Sequence, residues 1–430
     1  MKIEVRYNST SVGFEVPDKN LAQVIRPGSA GTAMSAQQIR RAFSQRGEEF
    51  EQLVRGRGVC VLLPDGTRDM PAEPILAECL ALLKSAAGVR FFICTGTHTA
   101  LTKENERIHA IATSLADRAG LKDFEVFIHD CRENEFLDAG TTGRGTQVRY
   151  NAAVDWGQVF LAISNIKPHY FAGYSNPVKN FAPGLCDYET ARGNHALALD
   201  ERSCFCAHPW HSQPGQRIQP LAEDQAEAME MIVCGRPFWT AATISCGKAI
   251  GWAGFGPARE VCGAAFSLCD KWNVHQVEPA ERVIVSPGGY PNDIDLYIAQ
   301  RALELTKAAM ADGGEALFVA ACAEGIGPER SMEHFWDLLT RPFEEIYKAV
   351  EGQYKLFSHK PWRFAQMIQR LRRLWVYSRL SDEVVRAGHM EPAKDVQSVV
   401  DGWIKENPQV KILVVDGANK LALRAKEIGS

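Results

Sequence analysis

Short apolar runs alternate along the chain with longer segments whose apolar residues recur every three to four positions. Val59-Cys60-Val61-Leu62-Leu63 is one such run, and Val89 to Cys94, Phe124 to Ile128 and Val159 to Ile163 follow it. Between the first two, Ile75, Leu76, Cys79, Leu80 and Leu83 share one face of a helix over residues 74–86. Strand–helix–strand units of this length predict a mostly parallel sheet covered by helices. A second series begins at Arg282-Val283-Ile284-Val285, continues through a helix over 296–312 and a strand over 316–320, and closes with a strand over 410–415. The stretch from Lys355 to Arg379 reads as helix after a break at Lys360-Pro361. Glu278-Pro279-Ala280-Glu281 is the crossing point between the two series. The expected fold is therefore α/β: two α/β domains with mostly parallel sheets and the active site in the interdomain cleft. Residues 1–277 are expected to form the N-terminal domain, 278–409 the C-terminal one, and 410–430 a final strand and tail returning to the N-terminal domain.

Composition narrows the partners. The chain has 430 residues, 46% hydrophobic and 23% charged, as expected of a globular protein with two or three domains. A net charge of −4 gives no reason to expect nucleic acid or an anionic membrane as partner. Arg370, Arg372 and Arg373 read as a solvated helix face. Met1 to Tyr7 alternates as a strand rather than as a signal peptide, and no apolar run approaches the roughly 20 residues that span a bilayer, so a cytoplasmic location is expected. The twelve cysteines include no Cys-x-x-Cys pair; Cys204-Phe205-Cys206 reads as two reduced thiols.

The candidate chemistry collects where ligands gather in parallel sheets, at the carboxyl ends of strands. One strand hands over to Asp65-Gly66-Thr67-Arg68 and another to Thr95-Gly96-Thr97-His98. A third leads through Ser164-Asn165 into His169, and the second series opens with a strand ending in Gly288-Gly289-Tyr290-Pro291. Glycine turns can hold anions on backbone N–H groups, yet no Walker loop or dinucleotide fingerprint is present. Arg68 is placed to hold a carboxylate or phosphate, and Asp65 to bind a ligand hydroxyl or to orient Arg68. His169 to His195 is the densest run: two imidazoles and Lys179 separated by Gly and Pro. Imidazole shuttles protons and ligates metals near neutral pH, and a lysine among apolar neighbours can serve as a covalent anchor. His109, His129, His275, His334 and His389 lack a supporting motif and read as structural or surface residues. His208-Pro209-Trp210-His211 alone supports no metal hydrolase.

Asp65-x-Thr67-Arg68, Thr95-Gly96-x-His98, His169-x-Phe171-Ala172-Gly173, Lys179, Pro183-Gly184, Asn194-His195 and Gly288-Gly289-Tyr290-Pro291 together resemble the nickel-pincer nucleotide-dependent lactate racemase family, from about residue 55 to 330. The resemblance implies a pyridinium mononucleotide (the bisthiocarboxylic acid mononucleotide) that holds nickel through sulfur, carbon and sulfur. It implies Lys179 as the covalent thioamide anchor and His195 as the fourth nickel ligand. It implies His98 and His169 as the acid/base pair and Arg68 as the group that holds or polarises substrate. Asp65, Thr67, Thr95, Gly96, Pro183 and Gly184 would complete the cofactor site. The expected reaction is racemisation or C2-epimerisation of a 2-hydroxy acid by reversible hydride transfer, with the cofactor made by separate assembly enzymes.

The chain departs from the lactate-acting pattern on its substrate wall. Where that pattern offers Tyr, then Gln, then Lys three further on, this chain has Tyr297, Ile298 and Arg301. His359, followed by Lys360, replaces a pocket tryptophan, and Gly66 stands where His is frequent. Tyr297, Arg301, His359 and Lys360 are thus the expected substrate contacts, and a substrate other than lactate, larger or more polar, is the expected one. Two alternatives stay open here: a non-isomerising 2-hydroxy acid oxidoreductase on the same cofactor, and a carrier protein for the nickel nucleotide.

Overall fold

The structure is a computed structural model, and it describes residues 1–27, 32–68, 72–247 and 249–426. It divides into two compact units, one of residues 29–271 and one of residues 1–28 with 272–430. The expected helix-covered, mostly parallel sheets are present in both.

In the first unit a six-stranded sheet runs in the order Ala249–Pro257, Phe238–Cys246, Val159–Asn165, Gly58–Pro64, Gly88–Cys94, Phe124–Ile128. All neighbours are parallel except the Phe238–Cys246 and Ala249–Pro257 pair. The inner strands read as unbroken apolar runs because both faces are covered. Val59, Val61, Leu63, Phe91, Leu161 and Ile163 enter a core with the flanking helices, while Cys60, Leu62, Phe92 and Phe160 are equally buried on the other face.

The second unit carries a wholly parallel six-stranded sheet, in the order Glu391–Pro392, Arg373–Tyr377, Met310–Val319, Ala280–Ser286, Ile412–Asp416, Leu21–Ile25. Val283, Val285, Phe318 and Val415 face one core, and Ile284, Leu317 and Val414 face another. The second core explains where the N-terminus goes. Ile3, Val5 and Phe14 of the antiparallel hairpin Lys2–Tyr7/Thr10–Glu15 bury there with Val399, Val400 and Trp403 of the helix Val396–Glu406.

Three expectations change. The strand near the C-terminus does not return to the N-terminal domain; it pairs between Ala280–Ser286 and Leu21–Ile25, and the first 28 residues join it in the C-terminal unit. Residues 427–430 of the expected tail lie outside the described residues. The helix expected after Lys360-Pro361 does begin there, as His359–Arg370, since proline in a first turn forfeits no intrahelical bond. That helix ends at Arg370, and Arg373 opens a strand, so the three arginines share no helix face. Likewise, the segment expected as helix to residue 312 becomes strand from Met310.

Candidate functional site

The carboxyl edge of the first unit's sheet brings the separate motifs together. Asp65 follows directly on the strand Gly58–Pro64 and is only 2% exposed. Its Oδ1 accepts from the Thr67 hydroxyl at 2.6 Å and the Thr67 backbone N–H at 3.1 Å. Its Oδ2 meets His98 Nδ1 across the end of the neighbouring strand, and Arg68 Nε lies 3.6 Å from Oδ1. Burial alone would raise this carboxyl, but the His98 hydrogen bond and charge, with Arg68 and Thr67, hold it well below the usual carboxylate range. A carboxylate facing Nδ1 makes that nitrogen the proton carrier. Nε2 of His98 is then the basic nitrogen of the ring, on a side chain still 29% exposed. Asp65 therefore orients an imidazole, a role the sequence reading did not assign to it. It arises because the strands ending at Pro64 and Cys94 pair in parallel with those two residues opposite, a register that no local signal in the sequence gives.

A second group hangs on the same edge. The strand Lys167–His169 pairs with Gly173–Ser175, placing His169 opposite Gly173. Gly173 has φ +68°, and a Cβ there would fall 1.8 Å from the Ala207 carbonyl oxygen, so only glycine closes this hairpin. The His169 ring stacks on Tyr170 at 5.3 Å and meets Phe171 edge-on at 4.7 Å; Phe171 in turn meets His195 at 5.6 Å. One aromatic ring thus links the two imidazoles.

Lys179 sits in a short 3-10 turn, Pro177–Asn180, capped by Asn176, whose Oδ1 accepts from Val178 N at 2.9 Å. The turn is fastened to the sheet by Asn180, whose amide donates to Leu62 O at 3.1 Å and Ile163 O at 3.2 Å, bridging two adjacent strands. Gly184 packs against this turn, where a Cβ would approach Asn180 O to 2.3 Å, and its carbonyl accepts from Gly96 N at 3.0 Å. The Lys179 segment is thereby tied to the loop that carries His98. Lys179, Arg68 and Lys167 line one cleft with Asn165 and Asn176.

His195 lies in the last turn of the helix Tyr188–Ala196, buried, with Nδ1 against Ala191 O at 2.9 Å. A carbonyl partner makes Nδ1 the donor, so Nε2 bears the lone pair, the tautomer a metal ligand needs. Its neighbour Asn194 anchors the helix by donating to Asp224 Oδ2 at 2.8 Å, a carboxylate that also accepts from Thr142 and Thr146. Among the described residues no group of three or more His, Cys, Asp or Glu side chains could hold an ion. With its lone pair on Nε2, His195 can serve as a metal ligand.

Two residues of the expected cofactor set have other engagements. Thr95 gives its hydroxyl to His129 O at 2.5 Å, joining two loops, and the Thr67 hydroxyl is committed to Asp65. His129 is a structural residue: fully buried, bonded to Cys186 O, and pushed by burial down to about 4.

The expected substrate contacts lie in the second unit. Lys360 Nζ stands 3.0 Å from the centre of the Tyr297 ring and 3.3 Å from Tyr297 O. His359 Nδ1 meets the Tyr354 hydroxyl at 2.7 Å. Arg301 follows the short helix Leu296–Ala299 that Asp295 caps, and Asp295 feels both Lys360 and Arg301; burial nevertheless raises its carboxyl.

Residues 7–205 match the lactate racemase N-terminal domain, and residues 275–419 match the lactate racemase C-terminal domain. The chain is 25% identical to the lactate racemase of Thermoanaerobacterium thermosaccharolyticum, over 92% of each chain. It is 22% identical to that of Lactiplantibacillus plantarum, over 96% of this chain and 97% of the other. The solved apoprotein of the Thermoanaerobacterium enzyme superposes with a TM-score of 0.81 at 21% identity, covering 99% of this chain and 100% of that one. A protein from Thermotoga maritima superposes at 0.64 and 14% identity, over 92% and 99%.

Proposed function

The chain belongs to the lactate racemase family by both of its domains, and from that premise we propose that it is an isomerase, a racemase or C2-epimerase acting on a 2-hydroxy acid other than lactate. The observation that carries the reading is the buried Asp65 carboxylate holding His98, with Arg68 beside it, on the edge that also bears Lys179.

The C–H bond at C2 of a 2-hydroxy acid is too weakly acidic for simple deprotonation. A nickel-pincer nucleotide, anchored on Lys179 and ligated by His195, would supply a hydride acceptor there. Arg68 holds the substrate carboxylate by paired N–H donors. His98 takes the hydroxyl proton on Nε2, and the imidazolium so formed is stabilised by Asp65 at Nδ1. His169 does the same for the opposite stereoisomer, its ring held by Tyr170 and Phe171. In the second unit Tyr297, Arg301, His359 and Lys360 are the candidate substrate contacts, and their cationic character favours a polar acid. A nickel-nucleotide carrier would need Lys179 and His195 but no Asp65–His98 pair. A 2-hydroxy acid oxidoreductase would need an external acceptor. The protein works in the cytoplasm beside the enzymes that assemble its cofactor.

The test is nickel content and intact mass of protein co-produced with the cofactor-assembly enzymes, beside Lys179→Ala. About one equivalent of nickel and a mass increase, both lost in the variant, are expected. Protein without nickel or adduct, with a lactate-acting relative loaded in parallel, removes the hydride mechanism.

A further inference from the structure

The cleft around Lys179 holds polar groups that this mechanism leaves unused. Asn165 and Lys167 line it together with Arg68 and Lys179. The Asn165 amide nitrogen donates to Ser245 Oγ at 2.6 Å, which sets the orientation of the amide. Its Oδ1 is buried and meets no hydrogen-bond donor among the described residues. A buried carbonyl is costly to leave unpaired, so this atom calls for a donor such as a hydroxyl. Lys167 stands two residues before His169 on the same short strand, and alternate residues of a strand share a face. Arg68 already accounts for one carboxylate. A second cation beside an orphan acceptor matches an anionic group flanked by a hydroxyl, and the methyl group of lactate offers neither.

Resting on the isomerase reading, we infer that Asn165 and Lys167 form a subsite for the part of the substrate beyond C2. Asn165 Oδ1 accepts from a hydroxyl on the adjoining carbon, and Lys167 pairs with a second anionic group. The substrate class is then a hydroxylated acid carrying two anionic groups. The ribose phosphate of a mononucleotide presents the same pairing of anion and hydroxyl, and the test separates the two sources.

Binding of tartrate, lactate and nicotinate mononucleotide to the full-length chain is measured by calorimetry for the wild type, Lys167→Gln, Lys167→Arg and Asn165→Asp. Tartrate is expected to bind about tenfold more tightly than lactate, with about a tenfold loss in Lys167→Gln and Asn165→Asp, recovery in Lys167→Arg, and unchanged lactate binding. Equal binding of the two acids, or equal loss of both in the variants, overturns the subsite. Loss of mononucleotide binding with tartrate binding intact also overturns it, and assigns the pair to the nucleotide. Turnover by cofactor-loaded protein, followed by optical rotation, separates this from the parent reading. If the wild type isomerises no 2-hydroxy acid, the isomerase reading falls and takes the subsite with it. If both variants keep the wild-type preference for tartrate over lactate, only the subsite falls.

Discussion

Asp65 and Glu315 are both buried carboxylates on parallel sheets, each 2% exposed, and each is held below its ordinary range although burial opposes this. Their partners differ. Glu315 lies where its strand faces the first residue of the strand Arg373–Tyr377, toward the amino end. It accepts from the indoles of Trp375 at 2.9 Å and Trp403 at 2.6 Å, and from Arg372. None of those donors changes charge near neutral pH, so the arrangement only joins two strands and a helix. Asp65 lies at the carboxyl end and is bonded to a half-buried imidazole that can gain and lose a proton. A perturbed carboxyl is therefore a candidate for chemistry when its partner is an imidazole open to ligand, and a mark of architecture when its partners are fixed and enclosed.

Substitutions should separate the two cases. Asp65→Asn frees His98 to take the other tautomer, and kcat of the loaded enzyme should fall by about 10³- to 10⁴-fold with nickel content unchanged. His98→Ala should cost about 10²- to 10⁴-fold. Metal-free His98→Ala protein would instead assign that residue to cofactor retention. Glu315→Ala should leave activity per folded molecule intact but lower stability by about 3 kcal/mol in urea unfolding, since two indoles and a guanidinium lose their acceptor. An activity loss without destabilisation would erase the distinction drawn above. Arg68→Lys keeps the charge but not the planar fork; KM for the hydroxy acid should rise about tenfold while the cofactor stays bound.

The smallest effect concerns a histidine that burial makes structural. His129 is pushed down to about 4, against 6.5 for an ordinary imidazole. Between those values the unfolded chain binds a proton that the folded one refuses, so stability falls as pH drops through this window. His208, pushed to about 3 by burial, adds to the same slope. His129→Gln should lower the slope of unfolding free energy against pH by up to about 1.4 kcal/mol per pH unit. An unchanged slope would mean that His129 is protonated in the folded protein.

Much of this was legible in the chain. Apolar runs of five or six residues located the inner strands, and the turn residues after them located Asp65, Arg68 and His98 on a sheet edge. The run from His169 to His195 stood out because its glycines and prolines set reactive side chains among tight turns, and Gly173 and Gly184 do occupy positions closed to a Cβ. Three features were not legible. Asp65 and His98 are 33 residues apart and meet only through strand pairing. Asn180 and Asn194 look like ordinary polar residues, yet they fasten the segments bearing Lys179 and His195. The N-terminal hairpin alternates as any exposed hairpin does, and nothing local says which sheet will cover its apolar face.

Local chemistry thus determined the element types, the sheet edge that carries the motifs and the identity of the candidate site residues, because strand periodicity and turn geometry depend on near neighbours. The tertiary structure decided the tautomer of His98, the partner of Asp65, the anchoring of Lys179 and the sheet that the first 28 residues join. Those depend on which distant strands pair and in what register, and hydrogen-bond direction and burial are settled only once that pairing exists.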